Sequence, residues 1–230
     1  DLRTLPVSIL DDLQPVDIEE YLSFLTYYEK DGQIYQNHEE GKARKLATLN
    51  TFFGYFHKKE MIQKNAPSVV DVPRVKEKNI IRLDANEVAQ LIDNIESGEK
   101  LTKQQKVWHE RNKARDLAIV VTLLGTGVRV TELVGLDLSD LDFDNGAMRV
   151  IRKGGNEDIV YFGEETEEML RNYLDERMKM TPAPGHENAL FISQNNTRIT
   201  VRSVERLVKK YASTATVKKI TPHKLRSTYG

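Results

Sequence analysis

One segment constrains this fold more than any other part of the chain: RDLAIVVTLLGTG, residues 115–127. Its run LAIVVTLL is apolar nearly all round a helix, so the helix predicted for residues 111–124 has no face to turn toward solvent. Such a helix belongs at the centre of a domain. The glycines of GTG, residues 125–127, are expected to end it.

The neighbouring patterns predict the elements that surround this helix. Asp84 is a good N-cap for a helix over LDANEVAQLIDNIES. MRVIRKGGNEDIVYF, residues 148–162, indicates two short strands joined by a KGGNE turn. Further helices are predicted at 129–136, 164–180, 200–212 and from Thr221 onward, with a short strand at ALFIS, residues 189–193. We expect a mainly α fold with a small β-sheet, of the α+β class.

The first third of the chain has a separate helical pattern. Apolar residues recur at helical spacing over residues 15–28 and 39–58. Residues 65–79 contain two prolines and no helical period, which indicates an extended linker. We therefore expect a helical domain at 1–66, a linker at 67–79 and a larger domain at 80–230.

Charge is unevenly distributed, although the net charge is only −1. Residues 41–78 carry a net +6 and residues 198–230 a net +8, while the segments between and before them are acidic. Two basic segments form one positive face if the fold brings them together. The alternative is that these cations only solvate two helices.

Cysteine is absent, which excludes disulfides, thiolate metal sites and a cysteine nucleophile. This composition fits a reducing compartment such as the cytoplasm. No apolar run reaches the roughly 20 residues of a membrane span, so no membrane association is expected.

Two motifs match known ligand-binding patterns in their first positions only. GTGVRV has Val130 where a dinucleotide fingerprint needs its third glycine. DLDFDNG has Asn145 and Ile151 where a calcium loop needs glycine and glutamate. The histidines are scattered without helical pairing, so we expect no metal and no cofactor.

Four residues at the ends of predicted elements form a combination with its own chemistry: Arg129, Lys153, His223 and Arg226. His223 and Arg226 share a helix face at i and i+3. Two guanidinium groups can hold the non-bridging oxygens of a phosphodiester in transfer without a metal. A lysine can protonate a leaving hydroxyl, and a histidine can assist proton transfer. Each residue alone also has an ordinary structural explanation.

GTGVRVTELVGL, RVIRKGGNEDIVYF and TPHKLRSTYG, in this order, closely resemble the tyrosine recombinase (phage-type integrase) family, especially its bacterial Xer-like members. The resemblance extends over nearly the whole chain. Residues 1–66 are similar to the SAM-like core-binding domain of that family, and 80–230 to its catalytic domain. Ser227 departs from the pattern, which often has histidine there.

The resemblance implies a role for each matching residue. Arg129 and Arg226 would clamp the scissile phosphate, and Lys153 would be the general acid for the 5′-hydroxyl leaving group. His223 would assist proton transfer, and Glu132 would orient the site. Two domains would close around double-stranded DNA, with cationic contacts expected from Lys42, Arg44, Lys45, Arg202 and Arg206.

Tyr229 lies at i+3 from Arg226, but the resemblance places the nucleophilic tyrosine on a later, separate helix. We therefore expect Tyr229 to be structural and residues 1–230 to lack the nucleophile segment. The whole protein would be a site-specific recombinase that forms a 3′-phosphotyrosyl intermediate and works as a tetramer on paired sites. Two alternatives stay open: a non-catalytic DNA-binding accessory protein on this scaffold, and a helical interaction module without a DNA role.

Overall fold

The computed structural model describes residues 7–75, 81–216 and 218–229, and it describes Tyr229 for its backbone only. The chain separates into two compact units, Asp1–Lys78 and Asn79–Gly230. Each unit has its own apolar core. The architecture is mostly helical with two small antiparallel sheets, which confirms the predicted mainly α fold.

Among its described residues, the first unit contains two α-helices and a short hairpin. Its elements are α1 (Pro15–Phe24), β1 (Tyr28–Lys30), β2 (Gln33–Tyr35) and α2 (Glu39–Lys58). The helix predicted to reach residue 28 ends at Phe24, because Tyr28 pairs with Tyr35 in the hairpin. Asp31 and Gly32 form its turn with φ of 53° and 72°, and an Asp-Gly pair suits that left-handed geometry.

Part of the expected extended linker is not extended. Residues Ala66–Val69 form a 3₁₀ helix with a proline in its first turn. Ala66 and Val70 are buried in the core of the first unit, against Ile18, Leu22, Leu25 and Leu46. The apolar residues of this stretch therefore stabilise the first unit, and residues 67–70 of the expected linker pack with that unit. Residues 76–80 lie outside the described part of the chain.

Among its described residues, the second unit has six α-helices and a three-stranded sheet. They are α3 (Ala85–Ser97), α4 (Lys103–Thr126), α5 (Val130–Gly135), β3 (Leu141–Asp142), β4 (Ala147–Ile151), β5 (Glu157–Tyr161), α6 (Glu164–Arg177), α7 (Val201–Ala215) and α8 (Pro222–Tyr229). Strand order is β3-β4-β5, and β4 pairs with β5 in the register Met148↔Val160. The predicted hairpin is thus confirmed.

Helix α4 is the central element of the second unit, as its sequence predicts. Every residue from Arg115 to Leu123 is buried, and α4 packs against α3, α5, α6, α7 and α8. The helix ends at Gly127, whose φ of 60° is the left-handed geometry that glycine adopts without strain. The next residues lead directly into α5. The position of α5 is therefore set by the end of the central helix.

The ALFIS segment is not a strand. It makes two isolated bridges instead, Asp137↔Ala189 and Ile192↔Arg198. Its backbone is also held by side chains: Arg177 donates to the carbonyls of Glu187 and Ala189, and the Tyr173 hydroxyl donates to that of Leu190. These side-chain bonds replace the ladder that a strand would need.

Candidate functional site

Arg129 is placed by the end of α4 and the start of α5. Its backbone is extended, and its N–H donates to Glu132 Oε2 at 2.8 Å. Its Nη1 donates to Glu132 Oε1, also at 2.8 Å. The side chain is 52% exposed. Glu132 therefore holds one edge of the guanidinium, while Nε and Nη2 have no hydrogen-bond partner among the described residues.

Glu132 joins two arginines. It is only 3% exposed, and its Oε2 also accepts from Arg152 Nη1 at 2.8 Å. Burial opposes ionisation of this carboxyl, but the bonds from the backbone and side chain of Arg129 and from Arg152 outweigh it. The pKa of Glu132 consequently lies below its ordinary value. The carboxylate stays charged and connects α5 to the β4–β5 hairpin.

Lys153 lies in the turn of that hairpin, directly after Arg152. The turn is closed by Arg152 N–H donating to the Asn156 carbonyl and by Gly155 N–H donating to the Arg152 carbonyl. Lys153 itself is exposed and makes no hydrogen bond or ion pair within the described ranges. Its ammonium group is available to a ligand, next to the Arg152 anchor.

His223 and Arg226 are carried by α8, which packs against α4 and is anchored by the fully buried Leu225. His223 is exposed. Arg226 is half-buried, and its Nη1 is buried without a hydrogen-bond partner in the part of the chain that the structure describes. A buried donor of this kind is costly unless an acceptor binds to it. An anion at Arg226 would remove that cost.

The structure therefore brings Arg129, Glu132 and the base of the Lys153 turn together through ion pairs. No hydrogen bond or ion pair among the described residues joins His223 or Arg226 to this group. Helix α4 is what connects the two groups. Helix α8, which carries His223 and Arg226, packs against α4, and the end of α4 leads to Arg129. The side chain of Tyr229 lies outside the part of the chain that the structure describes. That Tyr229 is structural therefore stays a prediction.

The cationic residues of the first unit differ in availability. Lys42 forms an ion pair with Glu39 at 2.6 Å and is 15% exposed, so it is not free. Arg44 is exposed, with Nε donating to the Glu40 carbonyl at 3.3 Å. Lys45 is exposed and has no partner within the described ranges. Lys45 and Arg44 are thus more accessible than Lys42.

On α7, Arg202 and Arg206 are exposed, and neither has a hydrogen bond or ion pair to another described residue. The helix buries Val204, Leu207, Val208 and Tyr211 instead, as its periodicity predicts. Both guanidinium groups are available to an external anion.

In the described ranges, no group of three or more His, Asp or Glu side chains is placed to hold a metal ion. In the rejected calcium loop, Asp142 accepts from the backbone and side-chain amides of Asn145. Among the same residues, no helix is long and apolar enough to cross a membrane.

Sequence reasoning missed Arg152, which binds Glu132 and also donates from Nε to Asp158 Oδ2 at 3.0 Å. Its position beside Lys153 was visible, but its partner Glu132 is 20 residues away, beyond any local spacing rule. It also missed the buried group around Asp116, a carboxylate that precedes an apolar run. An acidic residue in such a place signals a buried partner.

Replacing Arg152 with alanine is expected to loosen the Lys153 turn. Two charge-assisted hydrogen bonds would be lost, so amide protection of Arg152 and Gly155 against hydrogen exchange should fall about tenfold. Arg149→Ala is the matched control, because Arg149 also binds two carboxylates, Asp140 and Glu157, but its own side chain is 45% exposed and does not bind Glu132. Equal loss of protection in both variants would contradict a specific anchor at Arg152.

Comparison with known proteins shows the family of this chain. Residues 81–230 match the phage integrase family. The tyrosine recombinase XerC of Corynebacterium glutamicum is 33% identical over 195 residues, which cover 83% of this chain and 59% of the relative. The chain thus spans less than two thirds of that relative's length.

Solved structures agree in fold. The crystal structure of XerA recombinase is 27% identical and covers 99% of this chain and 69% of its own, with a TM-score of 0.55. The Tn1549 transposon integrase, solved in complex with circular intermediate DNA, has a TM-score of 0.67 at 24% identity and covers 96% of this chain and 72% of its own. The chain therefore belongs to the phage integrase family, that of the Xer tyrosine recombinases.

Proposed function

We propose that this chain binds double-stranded DNA and holds a phosphodiester for strand transfer in a site-specific recombinase or integrase. The single observation that carries the proposal is the pair of guanidinium groups with unused donors. Arg129 keeps Nε and Nη2 free while Glu132 fixes its other edge, and Arg226 has a buried Nη1 without a partner. Both are suited to non-bridging phosphate oxygens.

In this proposal the remaining residues act on protons. A tyrosine hydroxyl gives up its proton with the help of His223, and its oxygen attacks the phosphorus and forms a 3′-phosphotyrosyl ester. The displaced 5′-oxygen takes a proton from Lys153. His223 assists proton transfer at the phosphate, and Glu132 orients Arg129. The ester retains the energy of the broken bond, so a second 5′-hydroxyl can reverse the step without ATP. Arg152 positions Lys153 by anchoring its turn.

The finer parts of the proposal rest on the resemblance stated above. The first unit, with Ala66 and Val70 in its core, is the helical DNA-binding domain, and residues 80–230 are the catalytic domain. DNA contacts come from Lys45, Arg44, Lys42, Arg202 and Arg206, and Lys42 must first leave Glu39. We propose that Tyr229 is not the nucleophile, so that residues 1–230 bind DNA without cleaving it. The whole protein pairs two sites as a tetramer.

The test is binding to a fluorescently labelled random-sequence duplex, followed by anisotropy over a salt series. The logarithm of the association constant should fall linearly with that of the salt concentration, with a slope of about −0.9 per phosphate contact. Replacing Arg226 with alanine should weaken binding about tenfold, by loss of a bidentate phosphate contact.

Lys224→Ala is the matched control on α8, because the Lys224 ammonium already donates to the Lys219 carbonyl. An equal loss in both variants would mean that only net charge matters and would contradict the clamp. Absence of binding at low salt would contradict the DNA role itself and favour a helical interaction module. A denaturant-resistant protein–DNA adduct would overturn the assignment of Tyr229.

A further inference from the structure

A cleft lies between α4 and α7 in the second unit, and none of the residues assigned to the phosphate clamp lines it. Its volume is about 420 Å³, within the range of about 300–1,000 Å³ typical of small-ligand sites. The segment 193–195 contributes a third wall. The lining side chains used below are Trp108, Arg115, Asp116, Gln194, Arg206 and Lys210.

The charge in this cleft is positive. Arg115 and Lys210 share the buried carboxylate of Asp116, which lies 2.7 Å from Arg115 Nη2 and 3.4 Å from Lys210 Nζ. That carboxylate neutralises one of the two cations. Arg206 is exposed and has no partner among the described residues. The lining therefore keeps an excess of two positive charges for a ligand.

Trp108 is the chain's one tryptophan, and it is 46% exposed at this cleft. The guanidinium carbon of Arg111 lies 5.8 Å from the centre of its ring. An exposed indole beside cations offers a flat stacking surface next to a phosphate-binding charge. This combination is typical of proteins that bind unpaired nucleotides.

We propose that this cleft binds a single nucleotide unit, with its base against Trp108 and its phosphate on Arg206 and Lys210. The side-chain amide of Gln194 is available for the edge of the base. A base inside a duplex has both faces covered by its neighbours, so the ligand is either a free nucleotide or an unpaired nucleotide of single-stranded DNA. The site shares Arg206 with the proposed duplex contacts, whereas Trp108 belongs to the nucleotide site alone and is the residue that separates the two proposals.

The tryptophan is itself the probe. Its fluorescence should be quenched saturably by deoxyadenosine 5′-monophosphate, by a short single-stranded oligodeoxyadenylate, or by both. Quenching by the mononucleotide identifies a free nucleotide as a sufficient ligand, and quenching by the oligonucleotide alone identifies single-stranded DNA. Inorganic phosphate should cause little change, because it has no ring to stack on the indole.

Two α7 variants make a matched pair. Arg206→Ala should lower the affinity for the nucleotide that quenches the tryptophan about tenfold, which is the factor expected for loss of a charged phosphate contact. Lys209→Ala removes one exposed charge from the same helix, but Lys209 lines a different recess. The affinity of this variant for the nucleotide should therefore stay within about twofold of the wild-type value. A third variant, Trp108→Ala, should lower the affinity for a dye-labelled oligonucleotide about tenfold. Trp108→Phe keeps an aromatic ring and should lower this affinity less.

Three results would overturn the proposal: no saturable quenching by either nucleotide probe, equal quenching by inorganic phosphate, or equal effects of Arg206→Ala and Lys209→Ala. Failure here is distinguishable from failure of the duplex proposal, which is measured on a labelled duplex with variants of α8. A chain that binds the duplex but gives no quenching would lose only the nucleotide site.

Discussion

Replacing Asp116 with alanine should lower the free energy of unfolding by about 3–5 kcal/mol, the usual cost of removing one partner from a buried ion pair. Asp116 is 2% exposed and accepts from Arg115, Lys210 and the Tyr211 hydroxyl. Without it, the buried guanidinium of Arg115 loses its counter-ion. Urea unfolding followed by circular dichroism measures the change.

Tyr211 shows how strongly this buried group depends on the carboxylate. Burial first, and the Asp116 charge second, raise the pKa of Tyr211 far above its ordinary value, so its hydroxyl stays a donor to Asp116. The Arg115 guanidinium also donates to the Ile192 carbonyl at 3.0 Å. The group therefore joins α4 and α7 to the segment that follows α6.

The control for Asp116 is Asp158→Ala. Asp158 also accepts from an arginine, Arg152, but its side chain is 53% exposed. An exposed pair of this kind contributes at most about 1 kcal/mol. If both variants lost the same stability, burial of Asp116 would not be the source of its effect.

Replacing Glu132 with glutamine should destabilise the folded chain by about 2 kcal/mol at neutral pH, since hydrogen bonds to a charged partner are lost on two sides. The pKa of Glu132 is lower in the folded chain than its ordinary value of 4.5. Its contribution is therefore fully present above about pH 4.5 and is lost as pH falls toward the folded pKa. The stability curves of wild type and variant should converge in acid.

Urea unfolding at a series of pH values gives this difference directly. Glu157→Gln is the control, because Glu157 also accepts from an arginine, Arg149, but is 59% exposed. It should change stability little at any pH. A difference between wild type and Glu132→Gln that stays constant into acid would mean that the charge of Glu132 is not the cause. The same variant should weaken duplex binding, since Arg129 loses its support.

Some local features were predictable because they depend on neighbours two to four residues apart. The apolar run after Asp116 predicts the buried helix α4, and GTG predicts its end at Gly127. Alternating residues predict the β4–β5 hairpin and place Lys153 in its turn. The Asp31-Gly32 pair was an equally local hairpin signal, but the helical spacing that runs through Tyr28 masked it.

Other features depend on chain segments that are distant in sequence. The sequence around Arg152 does not identify Glu132 as its partner, because the two residues are 20 positions apart. The ALFIS residues have strand composition, yet the side chains of Arg177 and Tyr173 take up their carbonyls.

The sequence by itself determined the order and type of most elements, the family, and the residue types that a phosphate clamp needs. Periodicity, caps and motif order are local quantities, so they are readable without coordinates. Only the tertiary structure decided which charges are paired and which are free: Glu132 between two arginines, Arg226 with an unused buried donor, and Trp108 beside Arg206 in one cleft. Those pairings are decided by burial, because a charge or donor removed from water needs a partner in space, wherever that partner lies in the sequence.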